Sequence, residues 1–345
     1  MTYFLIDLLA MGMITSIMTI GLNMQYGFAG VLNFTYYTFV GVGAYVTAVV
    51  TMGTPSGYGA ESYILHWSLP WPIGLLIAGL VCSLLGLAMI MVTIRRLRSD
   101  YLAIVTVSIG FIIWNVINNY IPLFDGGNGL FGIPYIAGGT NMSNVQYSMM
   151  MGLIGLVVLV GSLWLSRRIA NSPYGRVLRA IREDEIIAES FGKPVRRARI
   201  SIFMVGCFMA GVAGGLLAYY LTSWNPQGFL PIESFILMAA LIIGGTGSNW
   251  GAIVGAFVIV ELLTEISRYI PTFGSEATVG AVRAILIGVM LILFLMFRPE
   301  GIVPERPERW YRTGPEPRSE PSGLVGAIKR REAALWPSRA RQPLA

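Results

Sequence analysis

Nine apolar runs, near residues 3–22, 34–52, 71–94, 101–121, 147–166, 200–222, 233–244, 250–268 and 279–297, set the first constraint on this chain. At about 1.5 Å of rise per residue, roughly 20 residues cross a hydrocarbon core about 30 Å thick, and most of these runs reach or approach that length. The runs are continuous instead of alternating in period two, which excludes a membrane β-barrel. With 55% hydrophobic and only 12% charged residues and a mean hydropathy of +0.66, the chain lies outside the range of soluble domains. The predicted fold class is all-α: a polytopic integral membrane helix bundle of about 8–10 transmembrane segments, broken or re-entrant hairpins included.

The first run carries Asp7 and lacks both a basic leading region and a small-residue cleavage pattern, so it reads as a retained helix and not a signal peptide. Cys82 and Cys207 each stand alone in an apolar run, as small core or lipid-facing residues. Arginine sets the orientation. Basic residues crowd Arg95, Arg96 and Arg98, then residues 167–199, then the tail after Arg298, whereas residues 51–70 and 121–146 contain no Lys or Arg. The positive-inside rule puts the first three regions in the cytoplasm, with the N-terminus outside and the C-terminus inside. The net charge of +6 is then largely topogenic arginine, and it calls for no nucleic acid.

Two glycine-rich stretches interrupt the runs. The run 233–244 is about 16 Å of helix, half of the hydrocarbon core, and Gly244, Gly245, Gly247 and Ser248 then break it at that depth. Non-helical backbone there is tolerated only where protein buries it or an aqueous path meets it. The second stretch, residues 21–30, reads as an elbow joining the first two segments, with unusual amide content in Asn23 and Gln25 beside Tyr26 and Gly27. Together with Asn33 and Tyr36 after the elbow, these residues are candidates for lining a translocation path. Glycines that merely let helices pack closely are an equal alternative for any single position.

Absences narrow the chemistry. Neither lysine, Lys193 or Lys329, sits in a phosphate-binding glycine loop, and the single histidine, His66, falls in an outside loop. No catalytic triad and no metal-ligand set can be assembled, so no enzyme activity, metal or other cofactor is expected. Glu261 and Glu265, one helical turn apart beside Arg268, read first as a structural ion-pair cluster. After Phe297 the composition turns to Pro, Arg, Glu and Ser. Residues 1–304 are therefore expected to form the membrane domain and 305–345 a cytoplasmic Pro/Arg-rich tail, disordered or lying on a surface.

The polar segment 167–199 carries its own helix signals: Ser172 as cap with Pro173 behind it, and Gly192 with Pro194 as the stop. Val177, Ile181, Ala188 and Phe191 fall on one stripe, flanked by Arg176, Arg179, Arg182 and the acidic Glu183, Asp184 and Glu185. An amphipathic helix of this kind can lie on lipid; the acidic residues, Glu189 included, argue instead for a protein partner.

The motifs Gly21-Leu22-Asn23, Tyr26-Gly27-Phe28-Ala29-Gly30, Gly41-Val42-Gly43-Ala44-Tyr45, Leu97-Arg98-Ser99-Asp100-Tyr101-Leu102-Ala103, Gly126-Gly127-Asn128-Gly129-Leu130, Gly132-Ile133-Pro134, the run from Gly175 to Gly192, and Gly244-Gly245-Thr246-Gly247-Ser248-Asn249-Trp250-Gly251 occur in this order. Over about residues 15 to 304 the sequence thereby resembles the branched-chain amino acid ABC transporter permeases of the LivM type. The resemblance implies a permease subunit of an importer in the bacterial cytoplasmic (inner) membrane, working with a second related permease, two cytoplasmic ABC ATPase subunits and an extracytoplasmic substrate-binding protein. It also implies that the segment containing Gly175, Val177, Arg179, Ala180, Ile181, Glu183, Asp184, Ala188, Phe191 and Gly192 is the coupling loop that docks on the ATPase. Members often carry a Gly-His-Ala sequence where this chain has Asn33-Phe34-Thr35-Tyr36, and the same family handles urea and short amides as well as Leu, Ile and Val. An ion-coupled secondary transporter using Glu261, Glu265 and Arg283 is the alternative from another class.

Overall fold

The computed structural model describes residues 2–54, 63–93, 99–136, 142–262, 276–298 and 300–305, all within the unit Met1–Glu305. Arg95, Arg96, Arg98, Glu265, Arg268, the side chain of Arg283 and the tail 306–345 lie outside the described residues. The helices are α1 (Thr2–Ala29), α2 (Tyr36–Thr51), α3 (Trp71–Thr93), α4 (Ser99–Asn119), the short α5 (Ile121–Phe124), α6 (Asn144–Ala170), α7 (Pro173–Glu183), α8 (Glu185–Ser190), α9 (Val195–Leu221), α10 (Glu233–Gly244), α11 (Asn249–Gly255) and α12 (Glu276–Phe297). A π-helical stretch, Ala256–Leu262, extends α11. Two strands of two residues each, Leu130–Phe131 and Ser223–Trp224, pair antiparallel.

Among the described residues, each of the nine apolar runs falls largely on a helix, the run 250–268 being described as far as Leu262. Among the described residues, six segments are long and apolar enough to cross a membrane: Phe4–Ala29, Trp71–Thr93, Tyr101–Asn119, Asn144–Ala170, Val195–Leu221 and Pro226–Gly244. Tyr36–Thr51, Asn249–Leu262 and Ile285–Phe297 are shorter apolar helices. The chain is a multi-pass membrane helix bundle.

α1 and α9 form its centre. α9 packs along α2 and α3, and α1 lies between α9 and α6. The α2–α9 contact is backbone against backbone, since a Cβ on Gly214 would strike the Val40 carbonyl and one on Gly43 would strike Gly211. Lipid tails are as apolar as leucine and give helices little hydrophobic reason to associate, so close approach of this kind supplies the dispersion contacts that hold the pair. α3, α4 and α6 instead turn Leu80, Leu84, Ile104, Ile112, Leu153 and Val157 outward as a lipid-facing surface. α6 starts in a capping box: Ser143 Oγ accepts from Gln146 N at 3.4 Å and Gln146 Oε1 from Ser143 N at 3.0 Å.

The expected elbow at 21–30 is corrected. α1 continues through Gly21 and Gly27 to Ala29, because both glycines accommodate neighbours without breaking the helix: Gly21 meets the Tyr36 hydroxyl, and Gly27 meets Asn23 and the backbone of Gly247. The helix stops only at Gly30, which takes φ +68 and donates its N–H to Tyr26 O at 2.9 Å, while Val31 N reaches Gln25 O at 3.0 Å. Residues 30–35 are the real discontinuity. They are deeply packed, with Val31, Asn33 and Thr35 essentially inaccessible.

Candidate functional site

The polar loop between α6 and α9 folds as two helices, not one. Ser172 Oγ accepts from Gly175 N at 3.2 Å and opens α7. Asp184 then turns extended, with φ −154, and caps α8 by accepting from Ile187 N at 2.9 Å. Of the expected stripe, Ile181 and Ala188 turn toward the bundle, Val177 is half-buried and Phe191 is exposed. Gly175, Leu178, Ile181 and Ala188 are buried within the chain itself, and Gly175 sits so close to the carbonyls of Ile169 and Ala170 that a side chain has no room. Gly175, Ile181 and Ala188 thus present no surface to a partner, a correction to Ile181 and Ala188 of the predicted stripe and to Gly175 of the coupling set that the resemblance implied. Val177 is half-buried, and the guanidinium of Arg179 donates to Ala170 O at 3.1 Å. The outward face consists of Arg176, Ala180, Glu183 and Asp184, followed by an apolar group on and just after α8: Ile186, Ile187 and Phe191, the first and last 78% exposed. Gly192, at φ +72, ends the segment.

The loop is fastened to the bundle. Arg199 bridges to Glu185 at 2.6 Å. Tyr174 donates its hydroxyl to Ala198 O at 2.7 Å, and burial raises its pKa above the ordinary phenol value, keeping that proton in place. Arg182 reaches inward from α7. Its guanidinium donates to the carbonyl of Gly27 near the end of α1 and pairs with Glu305 at 2.8 Å.

The path candidates are brought together, but as a stitched seam and not as an open lining. Asn23 donates to Asn249 Oδ1 at 3.2 Å and accepts from Gly247 N at 2.9 Å. Gln25 donates to Phe203 O at 2.8 Å, Asn33 donates to Gln25 Oε1 at 2.9 Å, and Asn33 Oδ1 accepts from Thr35 N at 3.0 Å. Asn23, Gln25, Asn33 and Tyr36 are all wholly buried; Tyr26 is half-buried. The Asn23 and Asn33 amides satisfy non-helical backbone at Gly247 and Thr35, and Gln25 adds a bond to the Phe203 carbonyl within α9.

The break at Gly244, Gly245, Gly247 and Ser248 does not lie at half depth. Ser248 caps α11 by accepting from Gly251 N at 3.2 Å. The next residue, Asn249, accepts from Ser166 Oγ at 2.8 Å, one position before Arg167, whose guanidinium lies 5.3 Å from the Trp250 ring centroid. The turn is therefore level with the basic end of α6. The half-depth expectation counted only the helix 233–244; the 3₁₀ turn Pro226–Phe229 precedes it and lengthens the crossing segment. After α12, residues 300–305 form a strap over this turn, with Ile302 N donating to Ile243 O at 2.8 Å and Val303 N to Gly244 O at 2.9 Å.

A cavity of about 270 Å³ opens between α1, α10 and the π-helical stretch. Its polar lining is Thr15, Tyr37, Gln227, Glu233 and Glu261, and Met11, Ile14, Met18, Ile236, Leu237 and Val260 supply an aliphatic wall. Thr15 donates to Glu261. Glu233 starts α10, eleven residues from Gly244, so it stands about 16 Å above the turn, near half the thickness of a bilayer core. Glu261 is among the membrane carboxylates legible in the sequence; Glu233 was missed there, although a carboxylate heading an apolar run is a recognisable signal. Tyr37, Thr15 and Gln227 carried no such signal. None of the predicted path residues lines this cavity.

Comparison with known proteins agrees with the bundle. The family described as "Branched-chain amino acid transport system / permease component" matches residues 4–295. The chain is 30% identical to the high-affinity branched-chain amino acid transport system permease protein LivM of Salmonella typhimurium, over 90% of this chain and 72% of that one. It is 26% identical to the probable LivM permease of Methanocaldococcus jannaschii (84% and 90% covered) and 29% identical to the LivH permease of Escherichia coli (86% and 93% covered). No solved structure matches significantly. With the family match spanning nearly every apolar helix, the chain belongs to the branched-chain amino acid transport permease family.

Proposed function

We propose that the chain is a LivM-type permease subunit of an ABC importer for branched-chain amino acids, resident in the bacterial cytoplasmic membrane with the N-terminus outside and α7, α8 and the C-terminus in the cytoplasm. It pairs with a second, LivH-like permease, receives substrate from an extracytoplasmic binding protein and is driven by two cytoplasmic ATPase subunits. Residues 1–305, the strap included, act as the permease domain and the remainder as a tail. The observation that carries this reading is the docking face of the loop: three exposed apolar side chains, Ile186, Ile187 and Phe191, set beside Arg176, Glu183 and Asp184 on a loop pinned to the bundle. Exposed apolar residues ringed by charge suit a protein groove better than an anionic lipid surface, where the acidic residues would be repelled.

Substrate passes, in this reading, by the cavity and not along the amide seam. A zwitterion with an aliphatic side chain meets carboxylates suited to its ammonium at Glu233 and Glu261 and an apolar wall suited to its branched end. A urea or short-amide cargo has no use for that wall. The chain performs no chemical step; nucleotide-driven movement of the ATPase dimer shifts the permease between arrangements by the difference in docking free energy between them. The test is reconstitution of the importer in proteoliposomes with its binding protein. Leucine uptake that requires ATP and all partners supports the reading, whereas uptake driven by an ion gradient through this chain alone overturns it.

A further inference from the structure

Arg182 of α7 joins three separate stretches at the basic end of the bundle. Its guanidinium donates to Gly27 O, close to the end of α1. It pairs with Glu305 of the strap at 2.8 Å. It also overhangs the α10–α11 turn: a methyl group on Gly247 would lie 3.0 Å from the Arg182 Nη1 and would collide with the Glu305 carboxylate. The strap holds the same turn from the other side through the Ile302 and Val303 amides, and Gly301, at φ +78, packs on Gly245. Asn23 of α1 completes the ring by accepting from Gly247 N at 2.9 Å.

The segments gathered here lead directly to the cavity. Followed upward, α1 brings Met11, Thr15 and Met18 to it, α10 brings Glu233 and Ile236, and the extension of α11 brings Glu261. α7 touches this set through its inner face and offers its outer face to the cytoplasm. A planar fork can bond a carbonyl and a carboxylate at once in fixed geometry, which a lysine ammonium cannot reproduce. The pair is also a little more than a quarter exposed on each side, 27% and 28%, so water can replace the contact when it opens.

We infer that Arg182 and Glu305 are positioning residues: a latch through which movement of the docked loop is passed to the α1 and α10–α11 helices that frame the cavity. This rests on the importer reading above and adds to it a specific route of coupling. The latch neither contacts substrate nor forms the docking face.

The experiment uses the complete importer, with binding protein and ATPases, in proteoliposomes. The variants are Arg182→Lys, Glu305→Gln and the two combined; Glu305→Gln is isosteric and keeps the strap's backbone pairing, so it stays informative even if a change at Arg182 lowers expression. Three quantities are read: ATPase co-purification, ATP hydrolysis, and leucine moved per ATP hydrolysed. We expect co-purification and hydrolysis to stay within about twofold of the parent while leucine per ATP falls about tenfold, the scale of one charge-assisted hydrogen bond lost. The combined variant should be no worse than the more severe single one, because both open one contact. An unchanged leucine-to-ATP ratio in Glu305→Gln overturns the latch. So does loss of co-purification in that variant, since it would make the pair part of the docked surface or of the loop's own stability. A parent complex that moves no leucine with ATP refutes the importer reading itself, separately from the latch.

Discussion

Replacing Phe191 tests the docking face where structure and sequence disagree. Phe191 is 78% exposed, so seating it in a partner groove removes most of a phenylalanine side chain from water, about 2 kcal/mol on the scale of roughly 1.5–3 kcal/mol for full burial. Phe191→Ala should therefore weaken binding of the ATPase subunits about tenfold or somewhat more. Phe191→Asp adds an unpaired carboxylate in the contact, whose burial costs several kcal/mol, and should reduce binding by about a hundredfold or beyond. Ala188→Asp, which the sequence pattern alone would choose, acts elsewhere. Ala188 is 4% exposed and packed inside the chain, so its charge disrupts the seating of α8 on the bundle and lowers the stability of the loop. Co-purification of ATPase with the detergent-solubilised variants, together with protease sensitivity of the 172–192 segment, separates the two effects. Phe191→Asp should lose the ATPase with the segment as protected as in the parent, whereas Ala188→Asp should expose it. ATPase retained by Phe191→Asp at the parent level would refute the docking face.

Three further outcomes follow from the same geometry. Glu233→Gln, which removes a cavity carboxylate while keeping its shape, should reduce leucine uptake about tenfold in proteoliposomes without loss of ATPase co-purification, as expected for one charge-assisted contact; unimpaired uptake would move the path away from this cavity. Asn23→Leu leaves the Gly247 N–H without its buried acceptor and should cost about 1–3 kcal/mol, visible as a lower midpoint in thermal unfolding in detergent. Gly247→Leu must adopt φ +79 in space held by Glu305; it should lower thermal stability by at least about 1–2 kcal/mol, even where the protein inserts normally.

The helices were legible because hydrocarbon leaves the backbone few choices: a continuous apolar run of spanning length has to be helical, and among the described residues the nine runs are largely so. The start of α7 was legible for a local reason, since Ser172 and Pro173 cap it within one turn. What failed was inference from glycine. Gly21 and Gly27 look like an elbow in sequence, yet glycine equally permits close contact inside an unbroken helix, and which of the two occurs depends on neighbours such as Tyr36 and Gly247 that sequence spacing does not bring into view. Asp184 misled in the opposite sense. An acidic residue within an amphipathic repeat reads as one more solvated position, but Asp184 also accepts the Ile187 N–H and so ends one helix and caps another; a stripe, moreover, names a face without saying what covers it, and Ile181 and Ala188 are covered by the chain itself.

The most informative polar contacts were beyond any local pattern. Arg182 and Glu305 are 123 residues apart, and Asn23 meets Asn249 across 226. A periodicity argument sees Arg182 as the polar flank of α7 and Glu305 as the first residues of a tail, and assigns neither a partner. Their meeting follows from chain geometry: α1 ends, α10 turns and α12 finishes at the same end of the bundle, the end that also carries α7. Three helix ends there present carbonyls and turn amides that packing inside the protein would leave unpaired, so polar side chains collect where the backbone needs them. In the importer reading proposed above, a cytoplasmic motor would act on these same helix ends. That reading and the needs of the backbone then meet at one place: Asn23 satisfies the Gly247 amide while Arg182, bonded to the Gly27 carbonyl one turn further along α1, reaches the strap.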